Sequence, residues 1–202
     1  MGKAIKAMPA ALGFRVKSGW AMAVLLAGPS NAPRLATCQT VLLSDPKIPQ
    51  SKQPYHAALD LPGEEGKAIA KELGRVVVSA AKESVKELLK QADANGYRVA
   101  GAGLVVGSLV DPATLHNEHI RAHGLEGQLF RTALEDALRE QKLRYKVFVE
   151  KDALSTASAL LQVSAAKAKR VIASLGDSHE GAWRAEEKLA ALAAWVALTT
   201  SG

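Results

Sequence analysis

The stretch YRVAGAGLVVGSLVDP, residues 97–112, decides how the chain can fold. It is almost wholly apolar, it is too short to cross a membrane, and Asn95-Gly96 and Asp111-Pro112 bound it. A short apolar run between turn signals is typical of a strand that is buried on both faces, as in α/β sheets. We therefore predict a central strand over Arg98–Gly107.

A helix is predicted directly after this strand. Asp111 and Pro112 suit the N-cap and the first helical position. From Leu115 to Gln141 the apolar residues recur at helical spacing. Because ligands of α/β sheets collect at the carboxyl ends of the strands, we expect a functional site where this helix begins.

Three histidines, His116, His119 and His123, stand at the start of this predicted helix. Their spacing of i, i+3 and i+7 places them on one face. A helix N-terminus disfavours imidazolium, so the rings would stay neutral and able to bind a metal, with Glu126 as a fourth ligand. The alternative is that they are partly buried helix residues bonded to carbonyls and water, since no known zinc spacing is reproduced.

Composition sets the broad class of the protein. The chain has 202 residues, 48% of them hydrophobic, which fits a single domain over 1–202 with a short basic lead (1–10) and C-terminal helices (153–202). Its net charge of +6 permits nucleic-acid binding. Cys38 is the single cysteine, which excludes an intramolecular disulfide and favours the cytoplasm. We expect no export signal and no membrane span.

The rest of the chain predicts further strands and helices around the central strand. Alternating and apolar runs predict three leading strands, over Ala11–Leu26, Arg34–Leu43 and Tyr55–Leu61. Helical spacing follows from Pro62 to about Ala94. A last strand over Arg144–Glu150 precedes the C-terminal helices, which end with an alanine-rich helix over Trp183–Thr200.

This order of elements, with four short segments, resembles the ribonuclease H-like fold and its Holliday-junction resolvase branch. The segments are GFRVKSGWAMAV (13–24), LVVGSL (104–109), VEKDALSTA (149–157) and EKLAALA (187–193). They are similar to the first strand, the central strand with its glycine-ended loop, the fifth-strand segment and the acid-led last helix. The resemblance implies an α/β ribonuclease H-like mixed sheet, with three leading strands followed by alternating helices and strands.

The resemblance also implies a metal-dependent nuclease that acts on branched or structured nucleic acid. Such enzymes hold two divalent cations, Mg²⁺ or Mn²⁺, in clustered carboxylates. Asp111, Asp152 and Glu187 stand near the expected strand and helix ends, and we expect them to be the catalytic acids. The family's first-strand acid, however, falls near Arg15, with Lys17 close by, and positive charge there would repel the metal and leave an eroded site with one ligand missing. The acids could equally be a helix cap and two solvated surface residues.

A non-catalytic member of the same fold, binding nucleic acid or a protein partner, is the alternative. Its phosphate contacts would come from five basic residues, which could also be solvated surface charges: Arg15, Lys17, Lys167, Lys169 and Arg170. The alanine-rich last helix could pack a homodimer as well as a core. A histidine-based hydrolase or transferase on another α/β sheet is a third class, but no nucleophile elbow, P-loop or complete Rossmann fingerprint accompanies it.

Overall fold

A five-stranded mixed sheet forms the centre of the computed structural model, which describes residues 7–199. Its strands are β1 (Met8–Lys17), β2 (Trp20–Ala27), β3 (Arg34–Leu42), β4 (Tyr97–Val106) and β5 (Arg144–Val149). The order across the sheet is β3-β2-β1-β4-β5. The three leading strands are antiparallel neighbours, and β4 and β5 run parallel to β1. The carboxyl ends of β1, β4 and β5 therefore meet at one edge of the sheet.

Helices cover both faces of this sheet. They are α1 (Gly63–Ala94), α2 (Glu118–Glu140), α3 (Ala153–Leu161), α4 (Ala165–Leu175) and α5 (Ala185–Thr199). Side chains alternate along β1, so that Leu12, Phe14 and Val16 pack with α1 and α2. Ala11, on the opposite face, packs with the three C-terminal helices. Each face thus buries its own hydrophobic core.

The last helix lies directly on the sheet because two glycines make room for its backbone. A Cβ atom on Gly13 would lie 1.9 Å from the carbonyl oxygen of Ala190, and one on Gly103 would lie 2.5 Å from that of Ala193. Only glycine allows this approach. Every residue of Ala190–Leu198 is buried within the chain, so this alanine-rich helix packs the core.

The predicted mixed sheet, with three strands leading, is confirmed, but two of the predicted strand spans are wrong. Ala11–Leu26 is two strands, because the chain turns at Ser18-Gly19, where Gly19 has φ +82°. Tyr55–Leu61 is a series of turns rather than a strand. Its backbone bonds are local, such as the 2.9 Å bond from the Ala57 N–H to the Gln53 carbonyl. Periodicity does not distinguish such a turn series from a short strand.

The helix that carries the histidines begins later than its periodicity predicts. The Asp111 side chain accepts a bond from the Ala113 N–H and caps a separate 3₁₀ turn, Pro112–Thr114. The Asn117 side chain then caps α2 by accepting from the Ile120 N–H at 3.0 Å. Because of these two caps, the segment after Asp111 is not one helix but a 3₁₀ turn followed by α2, which begins at Glu118 and not at Leu115.

The N-terminal end of the chain differs from the predicted basic lead, whereas the C-terminal end does not differ from its prediction. Residues 8–10 of the predicted basic lead belong to β1, and residues 1–6 lie outside the part of the chain that the structure describes. The predicted C-terminal helices are present up to residue 199. None of the helices within residues 7–199 combines the length and the apolar character that a membrane span requires.

Candidate functional site

Arg15 lies at the carboxyl end of β1, on the face of the sheet that carries α5. Its side chain is only 4% exposed. One terminal nitrogen donates to the carboxylate of Glu150, which directly follows β5, and the other donates to the Val16 carbonyl at 2.8 Å. Its Nε is buried without a partner among the described residues. A buried cation thus occupies the edge where parallel strands of α/β sheets collect their ligands.

A second ion pair adjoins Arg15. The Lys17 ammonium lies 3.5 Å from the carboxylate of Glu186, in the first turn of α5. A hydrogen bond to its own backbone N–H lowers the pKa of Glu186, and the charges of Lys17 and Arg15 lower it further. We call Arg15, Lys17, Glu150 and Glu186 the arginine cluster. The charges of its two cations and two anions sum to zero.

The three predicted catalytic acids have separate structural environments. Asp111 is exposed and caps the 3₁₀ turn described above. Asp152 is exposed at the start of α3, where its carbonyl accepts from the Ser155 hydroxyl at 2.9 Å. Glu187 is 8% exposed and accepts a 2.8 Å bond from the Arg184 N–H. Each of the three residues thus accepts a hydrogen bond near the start of a helix or 3₁₀ turn. Asp111 and Glu187 accept it through the carboxylate, and Asp152 accepts it through the backbone carbonyl.

These surroundings do not fit a site for two divalent cations. Such a site needs several carboxylates with free oxygens around one point. Here Glu150 and Glu186 are neutralised by Arg15 and Lys17, and the guanidinium itself would face an incoming cation. Within residues 7–199, one group of at least three His, Cys, Asp or Glu side chains has its ligand atoms close enough to hold a metal, and it contains none of these acids.

Cys38, on β3, is partly buried near Glu187. Burial raises the pKa of the Cys38 thiol to about 11, and the charge of Glu187 raises it further in the same direction. The thiol therefore stays protonated near neutral pH, where it is a poor nucleophile and metal ligand.

The group that could hold a metal lies on the other face of the sheet and consists of His56, His123 and Glu126. Their ligand atoms all lie within 4.8 Å of one another, and we call these three residues the histidine cluster. Glu126 Oε1 accepts from His56 twice, from the backbone N at 3.2 Å and from Nδ1 at 2.8 Å. The His56 and His123 rings are 4.2 Å apart between centroids.

The histidine cluster contains part of the predicted metal set. The prediction named His116, His119, His123 and Glu126, and the structure brings the last two together with His56. His119 lies beside them, with its ring centroid 5.8 Å from that of His56. His116 precedes α2, is exposed, and is not a member of this group.

A groove at the carboxyl edge of the sheet is lined by Lys17 of the arginine cluster and by His123 of the histidine cluster. It lies between the ends of β1 and β4 and the first turns of α2. Its wall includes residues from both sides: Lys17, Ser18, Gly107, Ser108, His123 and Arg131. The other predicted basic residues, Lys167, Lys169 and Arg170, are exposed on α4.

Sequence reasoning missed His56 and Glu150 as members of these clusters. His56 falls within a predicted strand, although it directly follows the proline-containing loop that ends at Pro54, and loops often carry functional residues. Glu150 is 135 residues from Arg15, and no local pattern joins them. Their pairing depends on β1 and β5 both flanking β4.

Comparison with known proteins gives structural neighbours only. No protein-family model and no curated protein sequence matches the chain. Among solved structures it is similar to Thermus thermophilus RuvC, with a TM-score of 0.55 and 11% identity over 93% of this chain and 92% of that one. RuvC from the same organism in complex with a Holliday junction substrate matches equally well, over 93% and 91%.

This chain has the ribonuclease H-like fold. The similarity to RuvC extends over nearly the whole length of both chains, and the chain has the three leading strands followed by alternating helices and strands that the resemblance implied. At 11% identity, the match establishes the fold but not the chemistry, which depends on the residues present in this chain.

Proposed function

We propose that this protein binds branched or structured nucleic acid without cleaving it. The observation that carries the proposal is the buried Arg15 and its ion pair with Glu150 at the carboxyl end of β1. That is where the resemblance to the resolvase branch places an acidic metal ligand. A guanidinium there binds carboxylates or phosphates and repels divalent cations.

Charge and fold support the nucleic-acid part of this proposal. The chain carries a net charge of +6, and α4 presents Lys167, Lys169 and Arg170 to solvent. A solved structure of the neighbouring RuvC contains a Holliday junction. Lys17 and Arg131 also line the groove at the carboxyl edge, where each is paired with an acid, Glu186 and Glu135 respectively. Phosphate contacts of this kind would make affinity fall steeply with salt.

The second candidate function is a metal-dependent nuclease acting on the same substrates. It would use Asp111, Asp152 and Glu187 with Mg²⁺ or Mn²⁺, as the resemblance implies. The observation in its favour is that Glu186 and Glu187 lie side by side at the start of α5, next to the carboxyl edge of β1. Arg15 and Lys17 oppose it, because they neutralise the nearby acids.

One experiment separates the two functions. Purified protein is mixed with four-way-junction, duplex and single-stranded DNA and RNA, with and without Mg²⁺ or Mn²⁺. We expect salt-sensitive binding, strongest to the junction, and no cleavage on a denaturing gel. Metal-dependent cleavage that disappears in Asp111→Ala and Glu187→Ala would establish the nuclease instead. Absence of any binding would contradict both functions.

A pair of triple variants tests the basic surface. Replacing Lys167, Lys169 and Arg170 by alanine should reduce the slope of log affinity against log salt by about 0.7–0.9 for each phosphate that the variant no longer neutralises. The control replaces three basic residues of α1, on the opposite face of the sheet, and removes the same charge: Arg75, Lys86 and Lys90. Equal reductions in both triple variants would mean that net charge alone, rather than α4, attracts the nucleic acid.

Two further predictions accompany this proposal. We propose a cytoplasmic location, because the single cysteine, Cys38, is a free thiol and needs no oxidising compartment.

We also propose that the chain can form a homodimer, although α5 is buried in its own core. Light scattering on a sizing column, with and without junction DNA, measures the oligomeric state directly.

A further inference from the structure

The histidine cluster contains a buried carboxylate, that of Glu126, with one oxygen that lacks a hydrogen-bond partner. Glu126 lies on α2 and is 0% exposed. Both hydrogen bonds from His56 go to its Oε1 atom. Its Oε2 atom is buried and has no hydrogen-bond partner among the described residues. One half of this carboxylate is therefore satisfied and the other half is not.

The unpartnered Oε2 atom points to a missing ligand. An ionised buried carboxylate needs a donor or a cation on each oxygen. A cation bound at Oε2 would complete the site.

Imidazole nitrogens lie where such a cation would find its other ligands. His123 is one helical turn before Glu126 on α2, so both side chains project from one face. His56 reaches them from the segment before α1, and Nδ1 of its ring is already held by Glu126. A metal that replaced the proton on this nitrogen would lie directly beside the carboxylate. His119, four residues before His123, borders the group.

We propose that His56, His123 and Glu126 form a binding site for a divalent transition metal of the zinc type. Two imidazoles and a carboxylate are a common zinc ligand set, whereas Mg²⁺ prefers oxygen ligands and water. Three protein ligands leave a fourth position, which either His119 or water can fill. This site is separate from the arginine cluster and does not depend on the proposed nucleic-acid binding.

Metal titration of tag-free, chelator-treated protein tests this proposal. Calorimetry with Zn²⁺ should give one site per chain with a dissociation constant in the micromolar range or below. Co²⁺, which reports its geometry through visible absorption, should bind competitively with Zn²⁺. Millimolar Mg²⁺ should not displace either metal. Saturating Zn²⁺ should raise the melting temperature by a few degrees, because it binds the folded state.

Variants of the ligands and of two other histidines make the test specific. His123→Ala, an exposed position whose loss should not unfold the chain, should weaken Zn²⁺ binding at least tenfold, as should His56→Ala. His116→Ala and His179→Ala, outside the cluster, should change it less than twofold. No saturable Zn²⁺ binding, or equal weakening in all four variants, would overturn the proposal. Circular dichroism confirms that each variant is folded.

Discussion

The arginine cluster and the histidine cluster bury groups of opposite charge. In the first, the buried member is a cation, Arg15, and the acid that pairs with it is 44% exposed. In the second, the buried member is an acid, Glu126, and its neighbours are imidazoles that carry no fixed charge. The buried charge of the arginine cluster is thus paired with a counter-ion, whereas Oε2 of Glu126 has no partner among the described residues. A buried cation such as Arg15 repels a metal ion, whereas a buried carboxylate such as Glu126 can bind one.

The largest expected effect comes from reversing the sign of the buried group in the arginine cluster. Arg15→Asp would place a third carboxylate beside Glu150 and Glu186, so it should lower the free energy of unfolding by about 3 kcal/mol or more. Mg²⁺ should recover part of this loss in the variant and none in the wild type. Urea unfolding with and without Mg²⁺ measures both quantities.

Arg15→Met serves as the matched control for that experiment. It removes the charge but keeps most of the buried length, and Glu150 can then be hydrated, so the change should stay within about 1 kcal/mol. If Mg²⁺ stabilises the wild type as much as it stabilises Arg15→Asp, the arginine cluster is not closed to metals.

Removing the exposed partner should have the next largest effect. Glu150→Ala leaves Arg15 buried with only the Val16 carbonyl as a partner, which should cost about 2 kcal/mol in the free energy of unfolding. Glu64→Ala breaks the exposed ion pair with Lys67 and should cost less than about 0.5 kcal/mol. Similar losses in both variants, measured by urea unfolding, would show that burial of Arg15 is unimportant.

A smaller loss is expected in the histidine cluster when the buried acid becomes an amide. Glu126→Gln keeps an oxygen for His56 but buries an NH₂ group without an acceptor, so it should cost about 1–2 kcal/mol in a chelating buffer. The difference from the wild type should widen in Zn²⁺, since only the wild-type carboxylate binds the metal. A difference that is the same with and without Zn²⁺ would argue for a simple His56–Glu126 hydrogen bond.

The smallest effect concerns the pH dependence of the Lys17–Glu186 pair. The pKa of Glu186 is lowered from its ordinary value of 4.5, so its contribution to stability is present above pH 4.5 and is lost as the pH falls through the folded-state pKa. In Lys17→Ala the Glu186 pKa should rise toward 4.5. Carbon-13 NMR titration of the Glu186 carboxyl in both proteins measures this shift, and identical titration curves would contradict it.

Elements with strong local signals were predicted well. The apolar run that becomes β4 and the long periodic stretch that becomes α1 each have a pattern that extends over many residues. Tyr55–Leu61 was wrong because a short apolar run fits a strand and a turn series equally. The break at Gly19 was missed because alternation continues on both sides of a two-residue turn.

The two clusters could be predicted only in part. The spacing on α2 was enough to indicate a metal-binding face with His123 and Glu126, since residues three or four apart share a helix face. His56, which is 70 residues from Glu126, could not be added from spacing. Arg15 was recognised as an unexpected cation in the first strand, but its partner Glu150 became visible only in the folded chain.

The sequence by itself determined the class of fold, the histidine face of α2 and the positive charge at the end of β1. These follow from local periodicity and from residue type, which act over a few neighbouring positions. Only the tertiary structure decided that Glu150 neutralises Arg15 and that His56 meets Glu126. The physical reason is that strand order and helix packing bring together residues far apart in the chain, and no short stretch of sequence specifies which ones will meet.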